Sequence, residues 1–160
     1  MRVLIAYSTT FGTTRALAQQ LGAAFDPEHA VRVLPAREAG DVDLATIDLL
    51  LVGAPTQFGG KLLGVRGFLS NLKKRRPVGL LATAFDTRMP GEIEKTGSAA
   101  AEIGGRLTAA GCRLVVPPVS FLSELRGPLE PGEPERAKLW AKEVAAAALA
   151  SLPATAPTAG

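Results

Sequence analysis

The sequence predicts an α/β fold: a five-stranded, doubly wound parallel sheet in three layers. Three observations carry this. Val3-Leu4-Ile5-Ala6-Tyr7 and Leu49-Leu50-Leu51-Val52 are apolar throughout, as strands buried on both faces are. Segments with apolar residues at helical spacing follow such runs, so strand and helix alternate along the chain. The first, third and fourth predicted strands each end in a polar or Gly-rich loop. With right-handed crossovers, this alternation gives a parallel sheet covered on both faces.

The elements follow in order. After Val3–Tyr7 comes a helix with Leu17, Ala18 and Leu21 on one face. Phe25-Asp26-Pro27-Glu28-His29 is a turn, and Ala30 to Leu34 alternates as a second strand. Arg37 to Thr46 is polar, with a short helix expected around Val42 to Ala45. The third strand, Leu49–Val52, runs into Gly53-Ala54-Pro55-Thr56-Gln57-Phe58-Gly59-Gly60. Val65, Phe68, Leu69 and Leu72 then mark an amphipathic helix. The fourth strand is expected over Val78 to Phe85, followed by a polar loop from Asp86 to Gly91.

Ser98 is placed to cap a helix with Ala100, Ile103, Leu107 and Ala110 inward, closed by Gly111. Gly104-Gly105 weakens that helix by roughly 1 kcal/mol per Gly relative to Ala, which suits a helix lying close on the sheet. Arg113 to Val116 begins the last strand, which Pro117-Pro118 interrupts before Val119–Leu122 resumes, as on a sheet edge. Pro134 sits at the first turn of a final helix with Ala137, Trp140, Val144 and Ala148 inward. The domain is expected over residues 1–152. Residues 153–160 are expected to be a disordered tail, having nothing to bury.

The stretch around which a site would form is Val3 to Leu21, VLIAYSTTFGTTRALAQQL. Gly12 permits a tight backbone path, and Thr13 or Thr14 can cap the helix. Backbone N–H groups and hydroxyls gathered at the positive end of a helix dipole form an anion site, most commonly for phosphate. Any strand-to-helix turn uses a Gly and a cap. Thr9, Thr10, Thr13 and Thr14 are more donors than a cap needs. No G-x-G-x-x-G occurs in the chain. Near Gly59-Gly60-Lys61, Pro55 and Leu62 stand where a Walker A loop has its first Gly and its Ser/Thr. A mononucleotide therefore fits better than a dinucleotide or ATP.

Tyr7, Thr9, Gly12, Thr14, Ala18 and Leu21, in this spacing, resemble the signature of the flavodoxins, whose T-x-x-G-x-T loop holds the phosphate of flavin mononucleotide (FMN). Ala6 departs from the larger residue usual there, and Phe11 stands in place of a third Thr. The resemblance implies strand order 2-1-3-4-5, with the ligand at the switch point between strands one and three. It implies phosphate contacts from Thr9, Thr10, Phe11, Gly12, Thr13 and Thr14. The flavin ring would lie between Pro55, Thr56, Gln57, Phe58, Gly59 and Gly60 on one side and Phe85, Asp86, Thr87, Arg88 and Met89 on the other. Phe58 would stack on the ring, and Gly59 or Gly60 would allow the peptide flip that in this family follows flavin reduction.

Composition limits the alternatives. At 160 residues, with 47% hydrophobic and 21% charged residues, the chain has the make-up of one globular domain. No apolar run reaches the ~18 residues that span a bilayer, and no signal-peptide layout opens the chain. One cysteine, Cys112, allows no internal disulfide, suits a reducing cytoplasm and reads as a small core residue. A net charge of +3 is mild. Lys73-Lys74-Arg75-Arg76 reads as the solvated end of a helix rather than a nucleic-acid surface, and aromatics are few. His29, the only histidine, lies in a turn away from every motif.

Three functions stay open. One is an FMN protein passing electrons between redox partner proteins. Another is a flavoenzyme resembling NAD(P)H:quinone reductases or protoporphyrinogen oxidases, its basic rim receiving an anionic substrate. The third is a binding module of this fold without FMN. Lys61, Arg66 and Arg88 near the ring-facing loops, with Asp86 the one acid there, imply a flavin of higher potential than in acidic flavodoxins.

Overall fold

The computed structural model describes residues 1–56, 62, 64–91 and 93–153, Glu94 without its side chain. Gln57, Phe58, Gly59, Gly60 and Lys61 lie outside the described residues, as does the tail from 154 on.

Strands β1 (Arg2–Tyr7), β2 (Ala30–Pro35), β3 (Leu49–Pro55), β4 (Leu81–Arg88) and β5 (Arg113–Leu114) form a parallel sheet in the order β2-β1-β3-β4-β5. A sixth strand, β6 (Val119–Leu122), also pairs in parallel with β4, beyond the Pro117-Pro118 interruption. Proline offers no N–H to the ladder, so the edge strand is split there.

The helices are α1 (Thr13–Phe25), α2 (Ala36–Ala39), α3 (Arg66–Arg75), α4 (Ile93–Thr96), α5 (Ala99–Ala110) and α6 (Glu133–Ser151). They sort to the two faces because side chains alternate along each strand. Ile5, Leu51 and Phe85 pack with Leu17, Leu21, Trp140 and Val144 from α1 and α6. Leu4, Leu50, Val52 and Ala84 pack with Phe68, Leu69 and Leu72 from α3 and Ile103 and Leu107 from α5. Each buried Leu or Ile contributes about 1.5–3 kcal/mol, which is why the fully apolar runs take the sheet centre.

Several sequence expectations shift. The third strand runs on through Gly53, Ala54 and Pro55, expected in a loop. The fourth strand starts at Leu81 rather than Val78 and continues through Asp86, Thr87 and Arg88, expected in a loop. Pro77 has no N–H, Gly79 turns the chain at φ +79°, and Val78 is 84% exposed, so pairing begins later. At its other end, Asp86–Arg88 gain partners in Ser120–Leu122 of β6. The helix expected around Val42 divides into α2, entered at Pro35, and a 3-10 turn at Leu44–Thr46, where the Asp43 carboxylate accepts from Ala45 N at 3.0 Å. In the basic run, Arg75 is half-buried, its guanidinium donating to the carbonyls of Val42 (2.6 Å) and Gly40 (3.3 Å).

Candidate functional site

A cleft of about 400 Å³ opens at the carboxyl ends of β1, β3 and β4. Its floor is the turn that leads into α1. Gly12 takes the left-handed conformation at φ +92°, and its N–H donates to Thr9 Oγ1 at 2.9 Å. The helix then begins at Thr13. Among the described residues, no acceptor meets the backbone N–H groups of Thr13, Thr14 and Arg15, the opening turn of α1.

The expected cap does not form. Gly12 is the N-cap and no side chain bonds the helix start. Thr13 and Thr14 reach other segments instead. The Thr13 hydroxyl donates to the carbonyl of Gly127 at 2.8 Å, and Thr14 Oγ1 lies 2.7 Å from Thr87 Oγ1 in a buried pair. In that pair one hydroxyl donates and the other keeps its proton for a further acceptor. Thr9 Oγ1, an acceptor for Gly12, likewise keeps its proton. The threonines thus fix the turn to β4 and to a distant loop, and the unmet backbone N–H groups are its main donors.

Thr9, Thr10, Phe11, Thr13, Thr14, Pro55, Thr56, Thr87 and Arg88 all line the cleft. Three described residues expected beside them do not: Gly12, whose N–H turns to Thr9 Oγ1, and Phe85 and Asp86. Phe85 is fully buried on the α6 side of the sheet, edge-on to Trp140 with ring centroids 6.3 Å apart. A Cβ on Gly53 would lie 2.2 Å from the Phe85 ring, so that glycine makes room for it. Asp86 points to the opposite face and is also fully buried, accepting from Thr56 Oγ1, Ser98 Oγ and Ala100 N. The alternation of β4 explains the split: a strand that enters the sheet presents only every second residue to one side. Gln57, Phe58 and Gly59 fall outside the described residues.

Met89, expected at the end of the second ring-facing loop, lines one side. The cleft also has walls that the sequence reading did not assign: Thr96 beside Met89, and Ser123, Glu124, Leu125 and Arg126 on another side. The signal for the second group was the double proline. By interrupting the edge strand it lets the chain re-enter beside Phe85–Arg88, so β6 ends level with β4 at the cleft. Phe11, Met89 and Leu125 are exposed at 54%, 42% and 58%, which gives the mouth an apolar rim. The Arg126 guanidinium lies 4.8 Å over the Phe11 ring, a cation–π contact. Arg88 donates to the carbonyl of Gly91 at 3.0 Å, while its Nε is buried without a partner among the described residues. Arg88 and Arg126 face a single wall carboxylate, Glu124, so the charge on the described walls favours an anion.

Among the described residues no cluster of His, Cys, Asp and Glu could hold a metal ion. No helix among them is long and apolar enough to cross a membrane.

No protein-family model matches the chain. No curated protein sequence matches it either. Solved structures do. A flavodoxin from the domain Archaea is 20% identical with a TM-score of 0.74, over 93% of this chain and 99% of that one. Oxidised flavodoxin 1 from Bacillus cereus is 17% identical with a TM-score of 0.78, over 91% and 98%. Rubredoxin oxygen:oxidoreductase from Desulfovibrio gigas is 22% identical with a TM-score of 0.74 over 96% of this chain, which spans only 37% of that protein. In its strand order, its helical layers and these likenesses, the chain has a flavodoxin-like fold.

Proposed function

We propose that the chain binds FMN non-covalently in this cleft and passes electrons through it. One observation carries the reading: the opening turn of α1, its N–H groups unmet among the described residues, faces a cleft at the sheet's switch point. The donor set suits the group. Backbone N–H groups and Thr hydroxyls would hold the phosphate, while Pro55, Met89 and Leu125 offer apolar surface to a flat ring. Arg88, with a buried Nε that lacks a partner among the described residues, and Arg126 add positive charge. Bound FMN would supply the electron-transfer chemistry; the protein holds the phosphate, shields the ring from water and sets its electrostatic surroundings.

The chain would work in a reducing cytoplasm, its one cysteine buried and unpaired. A redox partner protein would exchange electrons at the cleft mouth. The apolar rim of Phe11, Met89 and Leu125 beside Arg88 and Arg126 favours a second reading, an FMN enzyme taking an anionic or quinone-like small molecule or NAD(P)H. Titration of the purified chain with FMN and with riboflavin, followed by flavin fluorescence, tests the first reading. FMN should bind at least about tenfold more tightly than riboflavin, the share of a charge-assisted phosphate grip. Equal affinity, or no binding, overturns it. NAD(P)H oxidation that needs added quinone would select the enzyme.

A further inference from the structure

Asp86 is wholly buried and does not reach the cleft, yet it touches what does. Its Oδ2 accepts from Thr56 Oγ1 at 3.0 Å, from Ser98 Oγ at 2.9 Å and from Ala100 N at 2.9 Å. Its Oδ1 is equally buried and has no partner among the described residues. Thr56 lines the cleft; its Oγ1 also accepts from Ala99 N at 2.9 Å, and its own N–H donates to the Thr87 carbonyl at 2.8 Å. One carboxylate oxygen therefore ties together the end of β4, the first residue past β3 and the opening turn of α5.

None of those bonds needs a carboxylate. An amide oxygen would accept the same three, and its nitrogen would occupy the place where Oδ1 is now unmet. A buried carboxylate with one bare oxygen is harder to desolvate than that amide. What Asp supplies beyond Asn is negative charge, held at the favourable end of α5 and one side chain behind the cleft wall. Being buried, it is little screened by salt, unlike the exposed Arg126 on the wall.

We propose that Asp86 is a positioning residue whose negative charge, fixed behind Thr56, weakens the hold of the cleft on reduced FMN relative to oxidised FMN. The inference rests on the FMN reading above. It opposes the effect of Arg88 and Arg126, so the potential of the site is set by a buried acid against one half-buried and one exposed base. At an effective dielectric of about 20, a unit charge roughly 10 Å away shifts an equilibrium about tenfold.

The test is the ratio of FMN dissociation constants in the two oxidation states, from binding titrations and the midpoint potential of the bound flavin. Asp86→Asn, which keeps the acceptor, should tighten reduced relative to oxidised FMN about tenfold, raising the midpoint potential. The shift should persist at high salt. Asp86→Ser, a second neutral variant, should move the ratio the same way, and Asp86→Glu should leave it near wild type. Thr56→Val breaks the link and keeps the charge, so it should alter both affinities together. A wild-type chain that binds FMN while Asp86→Asn and Asp86→Ser leave the ratio within about twofold overturns this inference alone. So does Thr56→Val moving the ratio as far as Asp86→Asn. A wild-type chain that binds no FMN overturns the FMN reading and this inference with it.

Discussion

Cys112 shows how much one side chain reports about its surroundings. It is buried between α5 and β5, and burial in apolar company pushes its thiol up from 9.0 to about 11. The neutral thiol is the form the fold holds. Since an unfolded thiol ionises first, this group's contribution to stability is complete below pH 9 and is lost as pH climbs from about 9 towards 11. Urea unfolding should show that decline, and Cys112→Ala should remove it. In the folded protein at pH 8, a thiol reagent should react at least about a hundredfold more slowly than after unfolding, because the thiolate is the nucleophile. Phe11 makes the contrasting point. The sequence alone reads it as a lost hydroxyl in the phosphate loop. The structure sets the Arg126 guanidinium over its ring, a contact between residues whose loops are joined by the Thr13–Gly127 bond, 114 positions apart.

At the scale of elements, the paired glycines of α5 separate cleanly. A Cβ on Gly104 would lie 2.6 Å from Pro118 Cγ, while one on Gly105 would meet nothing within 4 Å. Gly105→Ala should therefore raise stability by up to about 1 kcal/mol, the helix-propensity gain. Gly104→Ala should lower it by about 1–3 kcal/mol, the cost of an overpacked contact exceeding that gain. Thermal melts of the two variants decide it, and equal effects would show that α5 does not lie on the β5–β6 segment as closely as described. The start of α6 is tied down differently. Glu133 accepts from Leu122 N at 2.7 Å and pairs with Arg136 at 2.7 Å, while Arg136 also donates to the Ser120 carbonyl and lies over the Phe121 ring. The Arg136 hydrogen bond holds the Glu133 carboxyl below its usual 4.5. A depressed carboxyl stabilises the fold above its unfolded value and ceases to as pH falls through its folded one. Glu133→Gln should therefore cost about 1 kcal/mol at pH 7. In urea unfolding that gap should narrow steadily below pH 4.5.

For the molecule as a whole, ligand linkage offers a direct check on the cleft. A group that binds only the folded chain stabilises it by about 2.7 kcal/mol at a hundredfold excess over its dissociation constant. FMN at that excess should raise the melting temperature by several degrees, and riboflavin at the same concentration by less; equal shifts would detach the effect from the turn into α1. The layered sheet was legible in the chain because burial on both faces forces Val3–Tyr7 and Leu49–Val52 to be apolar throughout, and the sheet order observed is the one the flavodoxin resemblance implied. The turn into α1 was legible for a similar local reason, as Gly12, left-handed at φ +92°, and Thr9, whose Oγ1 accepts from its N–H, specify a backbone shape over a few residues. Which side chains meet in the cleft was not local. Asp86 joined the sheet between β3 and β6, the latter a strand whose pairing depends on where the chain returns after Pro117-Pro118, and Phe85 and Asp86 lie buried on opposite faces, deeper in the sheet than Thr87 and Arg88, which reach the cleft. Sequence by itself thus determined the elements and their layering, which follow from periodicity and burial. Only the tertiary structure decided that Thr13 binds Gly127, that Leu125 and Arg126 wall the cleft and that a buried acid stands behind it, because those contacts join segments no sequence period connects.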